Sequence, residues 1–335
     1  MDRILDHESP QLVVFNGDLV TGENTFLGNS TNYIDMMVDP LLRRHIPWAS
    51  TYGNHDSDFN LSREDILARE RRHPLARTNL MVFGRDAGVS NYYLPVYGPD
   101  DINTPILLLW FFDSRGGSYF QETDESGNGV EQPNWVDRSV VQWFQAKNDE
   151  LVGHYDRIIS SIVFVHIPTN ASRVFQTTTG PRPHYEPGIN DDYPLAQQSQ
   201  GWCADGSRHP SCRYGGQDLA FMEAMASTPG LMGLFSGHDH GDSWCYKWDT
   251  ALPGMSISGN GVNLCFGQHT GYGGYGDWIR GSRQILLTEE MLRHHEIDTW
   301  IRLEDDTVSG AVTLNASYGH DRYEKTPNKH THCAI

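Results

Sequence analysis

The run QLVVFNGDLV at residues 11–20 decides the fold. An apolar segment, Leu12 to Phe15, stops on Gly17-Asp18. That is the pattern of a buried parallel strand delivering a carboxylate to the carboxyl edge of a sheet, where α/β proteins build their sites. Further stretches end in the same manner: YGNHD with Asn54 and His55, VFVHIP with His166, and LFSGHDHGD with His238 and His240. Imidazole nitrogens with carboxylate and amide oxygens form a borderline ligand set suited to Zn, Mn or Fe, and one Asp can bridge two ions. Taken singly, each has an ordinary reading: Asp18 as a turn or cap residue, Gly53 to Asp56 as a turn, His166 as a core histidine. Their recurrence at equivalent strand ends argues for a metal site along one sheet edge.

Outward from these ends, apolar runs at 11–16, 46–52, 106–112, 158–165, 231–235 and 284–288 read as strands. Helical stretches such as REDILARERR at 63–72 and RSVVQWFQAKNDEL at 138–151 lie between them. This alternation predicts an α/β architecture with layered sheets. WIRLEDD followed by TVSGAVTLN reads as a terminal hairpin. The polar segments 114–137 and 169–218 are too long for ordinary connections and read as functional rims. The chain, 1–335, reads as a single domain with a polar tail from about residue 318.

Composition sets the limits. With 335 residues, 38% of them apolar and 11% aromatic, the chain can bury a sizeable core. Its longest apolar run, ILLLWFF at 106–112, is far short of a membrane span. A net charge of -18 disfavours nucleic acid and anionic membranes as partners. An anionic substrate would therefore need local positive charge, such as metal ions. Cys203 with Cys212, and Cys245 with Cys265, are spaced for two local disulfides, leaving Cys333 unpaired in the tail. Sequons at Asn29, Asn60, Asn170 and Asn315 also point to a glycoprotein of the secretory route. No signal peptide opens the sequence, so secreted or vacuolar residence is the expectation for a longer form, and a cytoplasmic protein with free thiols is the alternative.

These motifs together resemble the calcineurin-like metallophosphoesterase family, whose signature GD…GNH[DE]…H…GHxH is matched by Gly17-Asp18, Gly53-Asn54-His55-Asp56, His166 and Gly237-His238-Asp239-His240. The run HTGYGGYGDWIRGSRQILL at 269–287, with HDHGDSWC before it, resembles the purple-acid-phosphatase-like branch found in fungi. The resemblance implies a four-layer α/β/β/α sandwich with a dinuclear centre of divalent Mn, Zn or Fe. It implies hydrolysis of phosphomonoesters or phosphodiesters by a metal-activated hydroxide, the substrate being a phosphorylated small molecule or a phosphoprotein. Asp18 would bridge both ions, Asn54, His166 and His238 would complete the second metal, and His240 would ligate the first. His55 would hold the phosphoryl group and protonate the leaving oxygen, with Asp56 orienting its ring.

Two departures qualify the resemblance. The tyrosinate that colours purple acid phosphatases falls three residues after the bridging Asp, and that position here is Thr21. The family's Asp-x-His motif, on a strand before the Gly-Asp strand, has no counterpart among the 17 residues preceding Asp18. Asp6 and His7 precede the strand, and seven extended residues span roughly 23 Å, so neither can reach the site. The expectation is a family member lacking its first strand, with the first metal weakly held. The alternative is a catalytically impaired member that binds a phosphorylated ligand or a protein partner. Asp113 and the aromatic residues Tyr272, Tyr275 and Trp278 are further candidates for lining the site. His294, His295, His330 and His332 read as solvated.

Overall fold

The apolar run 105–112 becomes the backbone of the larger sheet in the computed structural model, which describes residues 1–331. In chain order the elements are α1 (Asp2–Glu8), β1 (Val13–Asn16), α2 (Asn32–Arg44), β2 (Trp48–Thr51), α3 (Arg63–Glu70), β3 (Tyr92–Tyr97), β4 (Pro105–Phe112), β5 (Ser118–Thr123), β6 (Gly129–Glu131), α4 (Arg138–Tyr155), β7 (Ser160–Val165), α5 (Asn170–Thr178), α6 (Leu219–Ser227), β8 (Leu231–Ser236), β9 (Cys245–Trp248), β10 (Val262–Phe266), β11 (Gly281–Leu286), α7 (Glu289–His294), β12 (Ile297–Leu303) and β13 (Val308–Leu314).

Six strands form one sheet in the order β3-β4-β7-β8-β10-β9. The inner four are parallel, and the edge strands β3 and β9 run antiparallel to their neighbours. Both faces of the inner strands are covered, which is why they read as continuous apolar runs rather than alternating ones. On the outer face α4, α5 and α6 bury Val140, Phe144, Phe175, Phe221 and Met225 against Trp110, Phe112, Val163 and Leu234. The opposite face packs Leu109, Phe111, Phe164 and Phe235 against Ile297, Val312 and Leu314 of the second sheet layer.

That second layer comes in two hydrogen-bonded pieces, the parallel pair β1-β2 and the antiparallel β11-β12-β13. Helices α1 and α2 cover it from outside, with Leu5, Val38 and Leu41 on Trp48, Val13 and Phe15. The layers thus run α/β/β/α. Among the described residues no strand pairs with the second edge of β1. Instead α1 reaches toward β12: Glu8 accepts from Arg302 at 2.5 Å and from the Trp300 indole at 3.2 Å. Asp6 pairs with Arg44 and His7 with Asp306, well away from the strand ends.

The expected helices appear with adjusted ends, 63–70 and 138–155, started by Ser62 and Asp137 caps. The terminal hairpin is β12-β13. The two long polar segments carry structure of their own: the β5-β6 hairpin lies within 114–137, and α5 lies within 169–218. Both disulfides form, Cys203–Cys212 stapling the latter segment and Cys245–Cys265 joining directly opposed residues of β9 and β10. His294 and His295 are exposed at the end of α7, whereas His330 is not simply solvated, since its Nδ1 lies 2.8 Å from Asp277. His332 and Cys333 lie outside the described residues. No helix among the described residues is long and apolar enough to cross a membrane.

Candidate metal centre

Strand register brings the motif residues to one edge. Asn16 is level with Thr51 across β1-β2, so Gly17-Asp18 and Gly53-Asn54-His55 leave their strands side by side. In the larger sheet Phe112 is level with Val165, and Phe164 with Phe235, which delivers His166 and Gly237-His238 to the same end. Backbone conformation then aims the side chains. Asp18 and His238 are both left-handed, at φ 52° and 72°, each at a cost of about 1–3 kcal/mol. Gly17 and Gly53 leave the room: a Cβ on Gly17 would lie 2.3 Å from His166 Nδ1, and one on Gly53 would lie 2.3 Å from Asp18 Oδ1.

Donor atoms of Asp18, His166 and His238 all lie within 4.8 Å of one another. His166 Nδ1 is 2.7 Å from the Asn16 carbonyl, which can only accept, so Nδ1 carries a proton and Nε2 is the nitrogen whose lone pair would face an ion. That Nε2 approaches Asp18 Oδ2 to 2.9 Å, yet without hydrogen-bond geometry. Asn54 Oδ1 is likewise buried with no hydrogen-bond partner. A carboxylate, two imidazoles and an amide oxygen with unspent acceptors are the donor set of a borderline divalent cation, so the residues fit such an ion.

The electrostatics suit the same role. Burial opposes ionisation of Asp18, but the charge of a protonated His166, with smaller help from His55 and His238, outweighs it and holds the carboxyl well below its usual range. Against burial Asp18 raises His166 in turn, so an ion seated here would displace a proton from that imidazole. Burial, then the neighbouring His166, pushes His238 down to about 3, so its ring is neutral and able to donate a lone pair. Burial also lowers His240.

His240 stands apart from the three converging residues. Its Nδ1 is 2.9 Å from the Tyr275 carbonyl, and the Tyr275 ring lies on its imidazole. His55 sits at the mouth with its side chain half exposed, its backbone N–H bonded to Asp18 Oδ1 at 2.8 Å and its Nδ1 2.8 Å from Asp58 Oδ2. Asp56 therefore does not orient the His55 ring. Its carboxylate is fully buried and occupied by the N–H groups of Leu19, Val20 and Gly53, fastening the Asp18 turn to the Asn54 turn. Asp113 caps backbone too, accepting from Val89 and Arg115, and does not line the site.

Two contributors escaped the sequence reading. Asp58 is one, and its only signal was the three-residue spacing from His55. The other is Arg63, the first residue of α3, which is buried beneath the site. It donates to the carbonyls of Gly53 and Gly116, to Ser57 and to Gln132, with Nε 3.4 Å from Asp113. A helix-opening Arg in REDILARERR looks solvated on paper, since nothing in the pattern says that it turns inward.

Comparison with known proteins bears on this geometry. The family model described as Calcineurin-like phosphoesterase matches residues 1–242. An Arabidopsis thaliana protein named "Probable inactive purple acid phosphatase 14" is 27% identical over 92% of this chain and 72% of its own length. Phosphatase DCR2 of Saccharomyces cerevisiae is 26% identical over 90% of this chain and 47% of its own length. The solved structure of a dimetal phosphatase from Danio rerio superposes with a TM-score of 0.52 at 14% identity, covering 94% of this chain and 86% of that one. At that identity the likeness concerns the fold alone.

Proposed function

Since the chain belongs to the calcineurin-like phosphoesterase family, which hydrolyses phosphoric esters with divalent metal, we propose that it does so through the edge site around Asp18. The observation that carries the reading is the convergence of Asp18, His166 and His238 beside the unpartnered Asn54 Oδ1. These four residues would hold one ion, and Asp18 with His240 would hold a second more weakly, because His240 is outside the converging set. Divalent ions at such a site acidify water and neutralise charge on the phosphoryl oxygens, which supplies the positive charge this acidic chain lacks.

The chain's own groups do the rest. His55, at the mouth and hydrogen-bonded through its backbone to Asp18, contacts the phosphoryl group and hands a proton to the leaving oxygen. Asp58 keeps the ring turned for that transfer. Asp56 and Arg63 fix the two turns from below. The substrate class is a phosphorylated small molecule or phosphoprotein.

Hydrolysis of an aryl phosphate by the purified chain with added Mn or Zn, beside Asp18→Ala, tests the reading. Metal-dependent turnover that disappears in the variant supports it. Absence of turnover with metal-dependent phosphate binding retained would instead establish a binding protein, the second reading, which is favoured by the "inactive" in the name of the Arabidopsis thaliana relative.

A further inference from the structure

His166 follows β7 directly and His238 is separated from the end of β8 by Gly237 alone, but His240 lies two residues further out. Something else must hold its ring. Past β10 the chain makes a glycine-rich loop, GYGGYGDW at 271–278, whose Tyr275 falls on His240.

The Tyr275 ring stacks on the His240 imidazole at 4.0 Å with an interplanar angle of 10°, and His269 approaches it at 3.8 Å and 31°. Two rings this near one imidazole, with no ring contact between them among the described residues, take its two faces. The Tyr275 carbonyl lies 2.9 Å from His240 Nδ1. A carbonyl can only accept, so the ring proton is fixed on Nδ1 and the lone pair left on Nε2. The Tyr275 hydroxyl accepts from the His240 backbone N–H at 3.2 Å and donates to Asp192. Gly274, at φ 76°, is required for the approach, because a Cβ there would lie 2.5 Å from His240 Cε1. The far end of the loop is tied down by the Trp278 indole on Asp191 at 3.1 Å and by Asp277 on His330 at 2.8 Å.

We propose that Tyr275, with His269 on the opposite face, is a positioning residue that clamps His240 in the Nδ1–H tautomer and so presents Nε2 to the weaker metal site. The proposal rests on the reading of His240 as a ligand, but the clamp itself is a property of the chain. One residue supplies the stack, the tautomer-setting acceptor and a bond to the ligand's own backbone. Partners of this kind around a ligating histidine are worth about 10–100-fold in metal affinity.

The experiment is nitrogen-15 NMR of histidine-labelled full chain, metal-free, followed by Mn titration, on wild type, Tyr275→Phe, Tyr275→Ala and Gly274→Ala. The expected result is a single Nδ1–H tautomer for His240 in wild type and Tyr275→Phe. Tyr275→Ala keeps the backbone carbonyl but loses the stacked ring and the hydroxyl that seat it against His240, so its signature should shift toward a mixture of tautomers. Gly274→Ala, which drives a methyl against the ring, should displace it as well. The second Mn affinity should fall about 10–100-fold in Tyr275→Ala while the first is unchanged. An Nε2–H tautomer in wild type, or an unaltered His240 signature in both Tyr275→Ala and Gly274→Ala, would overturn the clamp. Two equal Mn affinities in wild type and Tyr275→Ala would overturn its role in metal binding. A correct tautomer in a chain that binds no second Mn would retain the clamp and remove the ligand reading, so the two failures are distinct.

Discussion

His55 Nδ1 and Asp58 Oδ2 lie 2.8 Å apart at the mouth of the site, within one turn of chain. The pair gives an exposed imidazole a fixed orientation. Asp58→Asn should lower kcat about tenfold, less than the 100-fold or more expected for His55→Ala. A kcat unchanged in Asp58→Asn would remove Asp58 from the proton transfer.

Gly53→Ala is the sharpest probe of the tight metal site. Its methyl would sit 2.3 Å from Asp18 Oδ1, so the carboxylate or the turn must move. Mn affinity measured by calorimetric titration should drop about tenfold or more, as for loss of ligand orientation. An affinity within twofold of wild type would show that Asp18 is not held where the site requires.

Arg63→Met should destabilise the chain by about 3–5 kcal/mol, since removing one partner leaves the buried Asp113 without its cation and the Gly53 and Gly116 carbonyls without a donor. The urea midpoint measures this. Arg63→Lys should recover only a fraction, because an ammonium cannot reproduce the guanidinium fork.

Asp218 gives the stability a pH dependence. It is fully buried, accepting from the Asn170 N–H and the Tyr214 hydroxyl, and burial raises it from 3.8 to about 6 despite those bonds. A raised carboxyl means that the folded state keeps a proton the unfolded chain releases. Its contribution is therefore fully present below pH 3.8 and is lost as the pH climbs to about 6, with a total of about 3 kcal/mol. Comparing urea stability at pH 4 and pH 7 in wild type and Asp218→Asn tests this. The variant should have the flatter profile.

Much of the site was legible because its logic is local. A parallel strand covered on both faces reads as an unbroken apolar run, and ligands recur just after it, so Asp18, Asn54, His166 and His238 could be found from strand ends alone. What the sequence concealed depends on contacts distant in the chain or on the backbone of a turn. Asp56 and Asp58 are equally plausible partners for His55 on paper, and only the curl of residues 53–58 gives Asp56 to three backbone N–H groups and Asp58 to the ring. Tyr275 meets His240 across 35 residues. Edge strand β3 mixes buried and exposed positions in YYLPVY, with Pro95 in its middle, which weakens any strand signal.

The two-piece second layer has a mechanical consequence. Asp18 hangs from the short β1-β2 pair, whereas His166 and His238 hang from the six-stranded sheet. An ion gripped by all three would act as a rivet across the seam between two sheets that, among the described residues, share no backbone hydrogen-bond ladder. Metal concentration would then set how tightly the molecule is closed, through the ordinary linkage of ligand to the folded state. Chelation would first be felt in the amides of β1 and β2, as faster hydrogen exchange in one small unit while the larger sheet stays protected.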